Sequence, residues 1–158
     1  MTRYASQTTV APDRSRAEIE RTLTRYGATG FMYGWRENNA IIGFEANNRR
    51  IRFVLPLPEL AQFMTTGKSR RRTTGAARVA LEQATRQRWR ALALAVKAKL
   101  ETVESGIATF EDEFMAYIVL PDGRTVGEWM TPQIAQVYES GSMPPMLPMP
   151  RGGEIDRA

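Results

Sequence analysis

The sequence predicts an α+β fold: an N-terminal helix, a three-stranded antiparallel meander, then a long helix and two or three shorter helices on one sheet face. Three observations point there. Residues 31–55 hold three short runs of alternating apolar character separated by paired asparagines. Residues 76–105 carry one unbroken helical period. The chain has 158 residues, 42% hydrophobic and 25% charged, the size and mixture of a single domain with a sizeable core.

Residues 1–13 are polar without a period and read as a flexible arm, ahead of a single domain over 14–141. The first helix is expected over Arg14–Tyr26. Ser15 and Glu18 have capping-box spacing, Ile19, Leu23 and Tyr26 form an apolar stripe, and Gly27 suits the C-terminal cap. Strands follow at Phe31–Arg36, Ala40–Ala46 and Arg50–Leu55, turning at Asn38-Asn39 and Asn47-Asn48, because Asn tolerates the positive φ of tight hairpins. Period-2 alternation puts Phe31, Tyr33 and Trp35 on one face, Ile51, Phe53 and Leu55 on one face, and Arg50 and Arg52 opposite the latter. Gly34 and Gly43 fall mid-strand, where glycine marks either a bulge or a close approach.

Residues 59–75 are expected to bury no core and to expose a basic loop over 64–75. The long helix then runs from Ala76 to Ser105, with Trp89, Leu92, Val96, Leu100, Val103 and Ile107 as its core stripe. Thr109 resembles a further cap, with Phe110, Phe114, Tyr117 and Ile118 apolar behind it. Pro121-Asp-Gly123 is a turn, Thr125 and Glu128 make another capping box, and Thr131-Pro132 looks like one more helix start. Ile134, Val137 and Tyr138 are the expected buried stripe of that last helix, and Gly141 its stop. Residues 142–158, rich in Pro, Met and Gly, read as a disordered tail.

The chain contains no cysteine and no histidine. That excludes disulfides, thiolate nucleophiles, Cys/His zinc sites and imidazole acid/base catalysis. Neither a phosphate-binding Walker loop nor a dinucleotide glycine pattern occurs. No catalytic residue, metal site or cofactor is expected. The one enzymatic alternative is Mg²⁺ at Glu45 or at Glu111, Asp112 and Glu113, for phosphodiester hydrolysis. The longest apolar run, Ala91–Val96, is far too short for a membrane span, and the first residues lack a signal-peptide core, so a cytoplasmic protein is expected.

Charge carries the functional expectation. Residues 1–100 hold 19 Lys+Arg against 7 Asp+Glu, and residues 101–158 hold 3 against 10, a division of +12 and −7. Nineteen of the basic residues are Arg, a bias that suits bidentate phosphate contacts but also follows from a GC-rich genome. The candidate nucleic-acid-binding residues are Arg49, Arg50 and Arg52 on the sheet, Lys68, Arg70, Arg71 and Arg72 in the loop, and Arg86, Arg88 and Arg90 on the long helix. Tyr33 or Trp35 offers a stacking face unless the core takes it. No helix-turn-helix or RNP signature accompanies them.

The blocks SRAEIERTLTRYGATGFMYGW, RRIRFVLPLP and RQRWRALALAVKAKLETVESGIATFEDEFMAYIVLPDGRTVGEWM together resemble a family of small conserved, uncharacterised proteins encoded by bacteriophages and prophages. The resemblance spans roughly residues 1–140 and brings no catalytic or ligand residues with it. It implies a phage-encoded protein in a bacterial cytoplasm, acting in replication, recombination or host takeover. The leading expectation is therefore a non-enzymatic nucleic-acid binder. The alternative is an interaction or inhibitor protein acting on a host or phage protein, such as a host-defence component. The oppositely charged halves suit a homo-oligomer in either case.

Overall fold

The computed structural model describes residues 13–143. Nearly all of the expected arm and tail lies outside them. The elements are α1 (Asp13–Tyr26), β1 (Thr29–Arg36), β2 (Asn39–Ala46), β3 (Arg49–Pro56), a 3-10 turn (Leu60–Phe63), α2 (Thr74–Glu104), α3 (Phe110–Phe114), a second 3-10 turn (Met115–Tyr117) and α4 (Val126–Ser140). The strands pair antiparallel in the order β1-β2-β3, giving the expected α+β class.

The meander follows from its turns. Asn47 and Asn48 take φ of 49° and 57°, the two successive positive values that a two-residue hairpin requires, and Ala46 pairs with Arg49 across them. The first turn falls one residue earlier than expected. Glu37 carries the positive φ, Arg36 pairs with Asn39, and Asn39 therefore belongs to β2. Asn38 instead clamps the exit from β3, donating from its side chain to the Leu57 carbonyl and accepting from the Leu57 N–H.

One sheet face is the core. Ala40, Ile42, Phe44 and Ala46 of central β2 are buried with Ile51 and Phe53 of β3, while Phe31, Tyr33 and Leu55 are partly buried against them. α1 brings Ile19 and Leu23 to this face, and α2 brings Trp89, Ala93, Val96 and Leu100. The opposite face carries Met32, Gly34, Ile41, Gly43, Arg50, Arg52 and Val54, as the register dictates. Gly43 lies beneath the Met32 side chain, whereas Gly34 faces open space. The bulge sits elsewhere, between Thr29 and Met32.

Several expectations need correction. α1 begins at Asp13, which supplies the negative charge at its N-terminus, so Ser15 lies inside the first turn and is not the cap. α2 begins at Thr74 because Thr73 caps it, its hydroxyl accepting from the Ala76 N–H. Ile107 is 78% exposed, since the helix ends at Glu104 and Gly106 at φ 74° breaks the period. Residues 59–75 do contribute to packing: the first 3-10 turn lies against α2, and Phe63 and Met64 are half-buried.

Beyond α2, Thr109 caps α3 reciprocally with Asp112, and Phe110 and Phe114 are buried. Ile118 is not helical. It bridges to Ile51, and the Val119 N–H donates to the Arg50 carbonyl at 2.8 Å, so this segment covers the outer edge of β3. The chain then turns through Gly123 into the Thr125–Glu128 capping box. Thr131-Pro132 does not start a new helix. Pro132 lies inside a continuous α4, where the Thr131 hydroxyl donates to the Gly127 carbonyl at 2.7 Å.

The largest departure is α4 itself. It has no buried residue: Ile134 is 48% and Tyr138 85% exposed, with Val137 only half-buried. Its principal neighbour is the second 3-10 turn, so the helix is anchored at its start and runs off the body. Gly127 makes that anchor possible. A Cβ there would stand 2.9 Å from the Ala116 carbonyl oxygen. Replacing Gly by Ala inside a helix ordinarily gains about 1 kcal/mol, but forcing atoms into a filled space costs about 1 to 3. Gly127→Ala is therefore expected to destabilise the protein by a net of up to about 2 kcal/mol, read as a lowered urea midpoint. A raised midpoint would show that the packing there yields freely.

Candidate nucleic-acid interface

The sheet cations occupy the end of the meander that carries the Asn47-Asn48 turn. Arg49 and Arg50 are exposed there, on the rim of a cavity of about 770 Å³ that also includes Glu45 and Gly123. Arg50 lies 3.9 Å from Glu45, a solvated pair of little energetic weight. Arg52 is committed differently. Its Nη2 donates to Glu128 Oε2 at 2.8 Å and its Nη1 to the Gly123 carbonyl at 2.9 Å, joining the open sheet face to the start of α4. Glu128 is held below the usual carboxylate range, chiefly by the Thr125 backbone N–H and further by the Arg52 charge, with partial burial opposing. Arg52 thus acts as a structural tie.

The loop cations are organised by backbone bonds. The Thr66 N–H donates to the Arg70 carbonyl at 2.8 Å, the Arg72 N–H to the Met64 carbonyl at 2.8 Å, and Thr65 bridges to Arg71. Ser69 takes a φ of 57° to close the turn. Lys68, Arg70 and Arg71 project into solvent, while Arg72 is half-buried with Nη1 3.5 Å from the Phe63 carbonyl. The loop delivers its charge directly before α2, at the positive end of a 31-residue helix.

On α2, Arg86 and Arg90 share one flank, and Arg88 lies roughly 160° round the axis. Arg88 Nη1 donates to the Pro56 carbonyl at 2.8 Å, which places it at the far end of β3 from Arg49, roughly 23 Å along the strand. The ten candidates therefore separate. The loop cations form a first group directly before α2; Arg86 and Arg90 share one flank of that helix, Arg88 lies on its other side against the end of β3, and Arg49 and Arg50 stand apart, with Arg52 tied to Glu128. Arg78, exposed one turn into α2, extends the first group and is hard to single out by sequence because it stands alone in an apolar stretch. Among the described residues, none of the loop or α2 arginines has a carboxylate within 4 Å.

The aromatic candidates separate. Tyr33 is half-buried under α1, with the Arg16 guanidinium 4.3 Å from its ring centroid and its hydroxyl without a hydrogen-bond partner among the described residues. Burial, reinforced by the Glu20 charge, pushes its pKa up. It belongs to the core. Trp35 is 44% exposed at the sheet end nearest Pro56, and its face is accessible.

The acidic triplet does not converge. Asp112 folds back on Thr109, and Glu113 meets Lys99, whose Nζ donates to the Glu113 carbonyl at 2.9 Å. Among the described residues no group of three or more carboxylates is placed to hold a metal, and no helix is long and apolar enough to cross a membrane. No family model, curated protein or solved structure matches the chain.

Proposed function

We propose that the chain is a non-enzymatic nucleic-acid-binding protein that grips the phosphate backbone through the 65–72 loop and the adjoining flank of α2. One observation carries this. Between residues 68 and 97 nine Lys+Arg are accompanied by a single carboxylate, Glu82, none of the nine is ion-paired among the described residues, and the first four of them sit on a hydrogen-bonded turn at a helix N-terminus. Unneutralised cations on a preformed surface release counterions from a polyanion without the entropic cost of first ordering a loop. Guanidinium forks suit phosphate oxygens, and Trp35 supplies a stacking face. A phage setting, in replication, recombination or host takeover, belongs to the same proposal.

Replacing Lys68, Arg70, Arg71 and Arg72 together with Ser tests it. The slope of log affinity against log salt should flatten by about 0.7 to 0.9 for each phosphate that the variant no longer neutralises. Circular dichroism melting should stay near that of the parent, because Lys68, Arg70 and Arg71 are exposed, half-buried Arg72 gives up only its 3.5 Å contact with the Phe63 carbonyl, and none of the four makes an ion pair among the described residues. Wild-type protein that binds neither DNA nor RNA at about 50 mM salt would overturn the proposal; an unchanged slope would remove the loop from the interface. The second reading, a protein-interaction or inhibitor role, is favoured by the apolar face of α4, which the described residues leave uncovered.

A further inference from the structure

Among the described residues, α4 and α2 each leave an apolar surface uncovered, and the two are complementary. On α4, Met130, Ile134, Val137 and Tyr138 recur at steps of three and four, so they share one face. Only its beginning is packed, and Ile134 and Tyr138 stand in solvent. Elsewhere on the molecule, α2 and the end of β3 enclose an open groove of about 640 Å³ lined by Leu55, Ala84, Arg88, Ala91, Leu92 and Ala95. It runs along α2 for roughly 16 Å, and α4 is roughly 21 Å long. The alanines leave room for a second helix to approach closely.

We infer that the occupant of this groove is α4 of a second copy of the chain, exchanged reciprocally in a two-fold dimer. Charge selects the partner. The free part of α4 carries Glu139 and no cation, whereas the groove carries Arg88 and no carboxylate, on a helix whose basic residues outnumber its acidic ones. Seating Tyr138 in the groove brings the adjacent Glu139 beside Arg88, which lines it. A reciprocal exchange makes that contact twice, as an isologous interface requires. It also pairs the acidic last third of one chain with the basic first part of the other.

Because the chain has no cysteine, an Ala91→Cys/Tyr138→Cys double variant contains that pair alone. On oxidation it should give a covalent dimer on a non-reducing gel. A disulfide-closed monomer would show that α4 folds back onto its own groove, and no disulfide would show that the two surfaces do not meet; either overturns the inference. In parallel, wild type should sediment as a dimer at about 100 µM, and Ile134→Glu/Tyr138→Glu should raise the dissociation constant by at least about 30-fold, the scale of removing an interface hot spot. Both positions are exposed, so the variant's unfolding at low protein concentration should match that of wild type. A wild type that is monomeric throughout, or a Glu variant that dimerises as tightly as wild type, would also overturn it.

Discussion

Trp89→Ala is expected to destabilise the protein by about 3 to 5 kcal/mol, the range for truncating a buried aromatic side chain. Trp89 is 2% exposed and lies in the core cluster where α2 crosses the sheet. Its neighbour on the buried stripe one turn onward is Ala93, too short to collapse into the space left behind. Leu94, on the same helix but 55% exposed, provides the control, and Leu94→Ala should change stability by no more than about 0.5 kcal/mol. Urea unfolding followed by circular dichroism reads both. If Trp89→Ala costs less than about 1 kcal/mol, α2 does not present this face to the sheet.

Phe114→Ala should have a comparable effect for a different reason. Its ring is fully buried among aromatics: Phe110 at 4.6 Å between centroids, Phe44 at 6.2 Å edge-on, and Phe53 at 6.3 Å. Edge-to-face and offset pairs add about 0.5 to 1.5 kcal/mol beyond burial, so a destabilisation of about 4 kcal/mol or more is expected. Phe114 also fixes α3, and with it the Ile118–Val119 segment that covers β3. Amide exchange at Val119 should therefore accelerate in step with the fall in stability. A variant that keeps wild-type stability would mean that α3 is held by its cap and by Lys99 instead.

The elements are readable because their signals are local. Alternation in residues 31–55 and the Asn pairs define the meander, and the α2 stripe from Trp89 to Leu100 faces the core as its period requires. Expectation and structure part where a local pattern has no local answer. The periodic face of α4 says that the helix is amphipathic; it does not say what covers it, and within the described residues nothing does so fully. Thr131-Pro132 matches a helix start in isolation, but the stronger Thr125–Glu128 box has already begun the helix. At the site, residue types are legible and grouping is not. Arg52 resembles a free surface cation because its partner Glu128 is 76 positions away, and Arg88 lies apart from Arg49 only because β3 separates them.

The bulge between Thr29 and Met32 has a bearing on solubility. A three-stranded sheet has two edges, and each unpaired ladder of N–H and C=O groups is a template for another chain. The β3 edge is occupied at Arg50 and Ile51 by Ile118 and Val119. The β1 edge carries the bulge, with Gly30 at φ 62°, which bends the strand and interrupts the flat run that a strand from another molecule would need. Strand addition from another molecule is thus obstructed at Arg50–Ile51 on one edge and misaligned at Thr29–Met32 on the other.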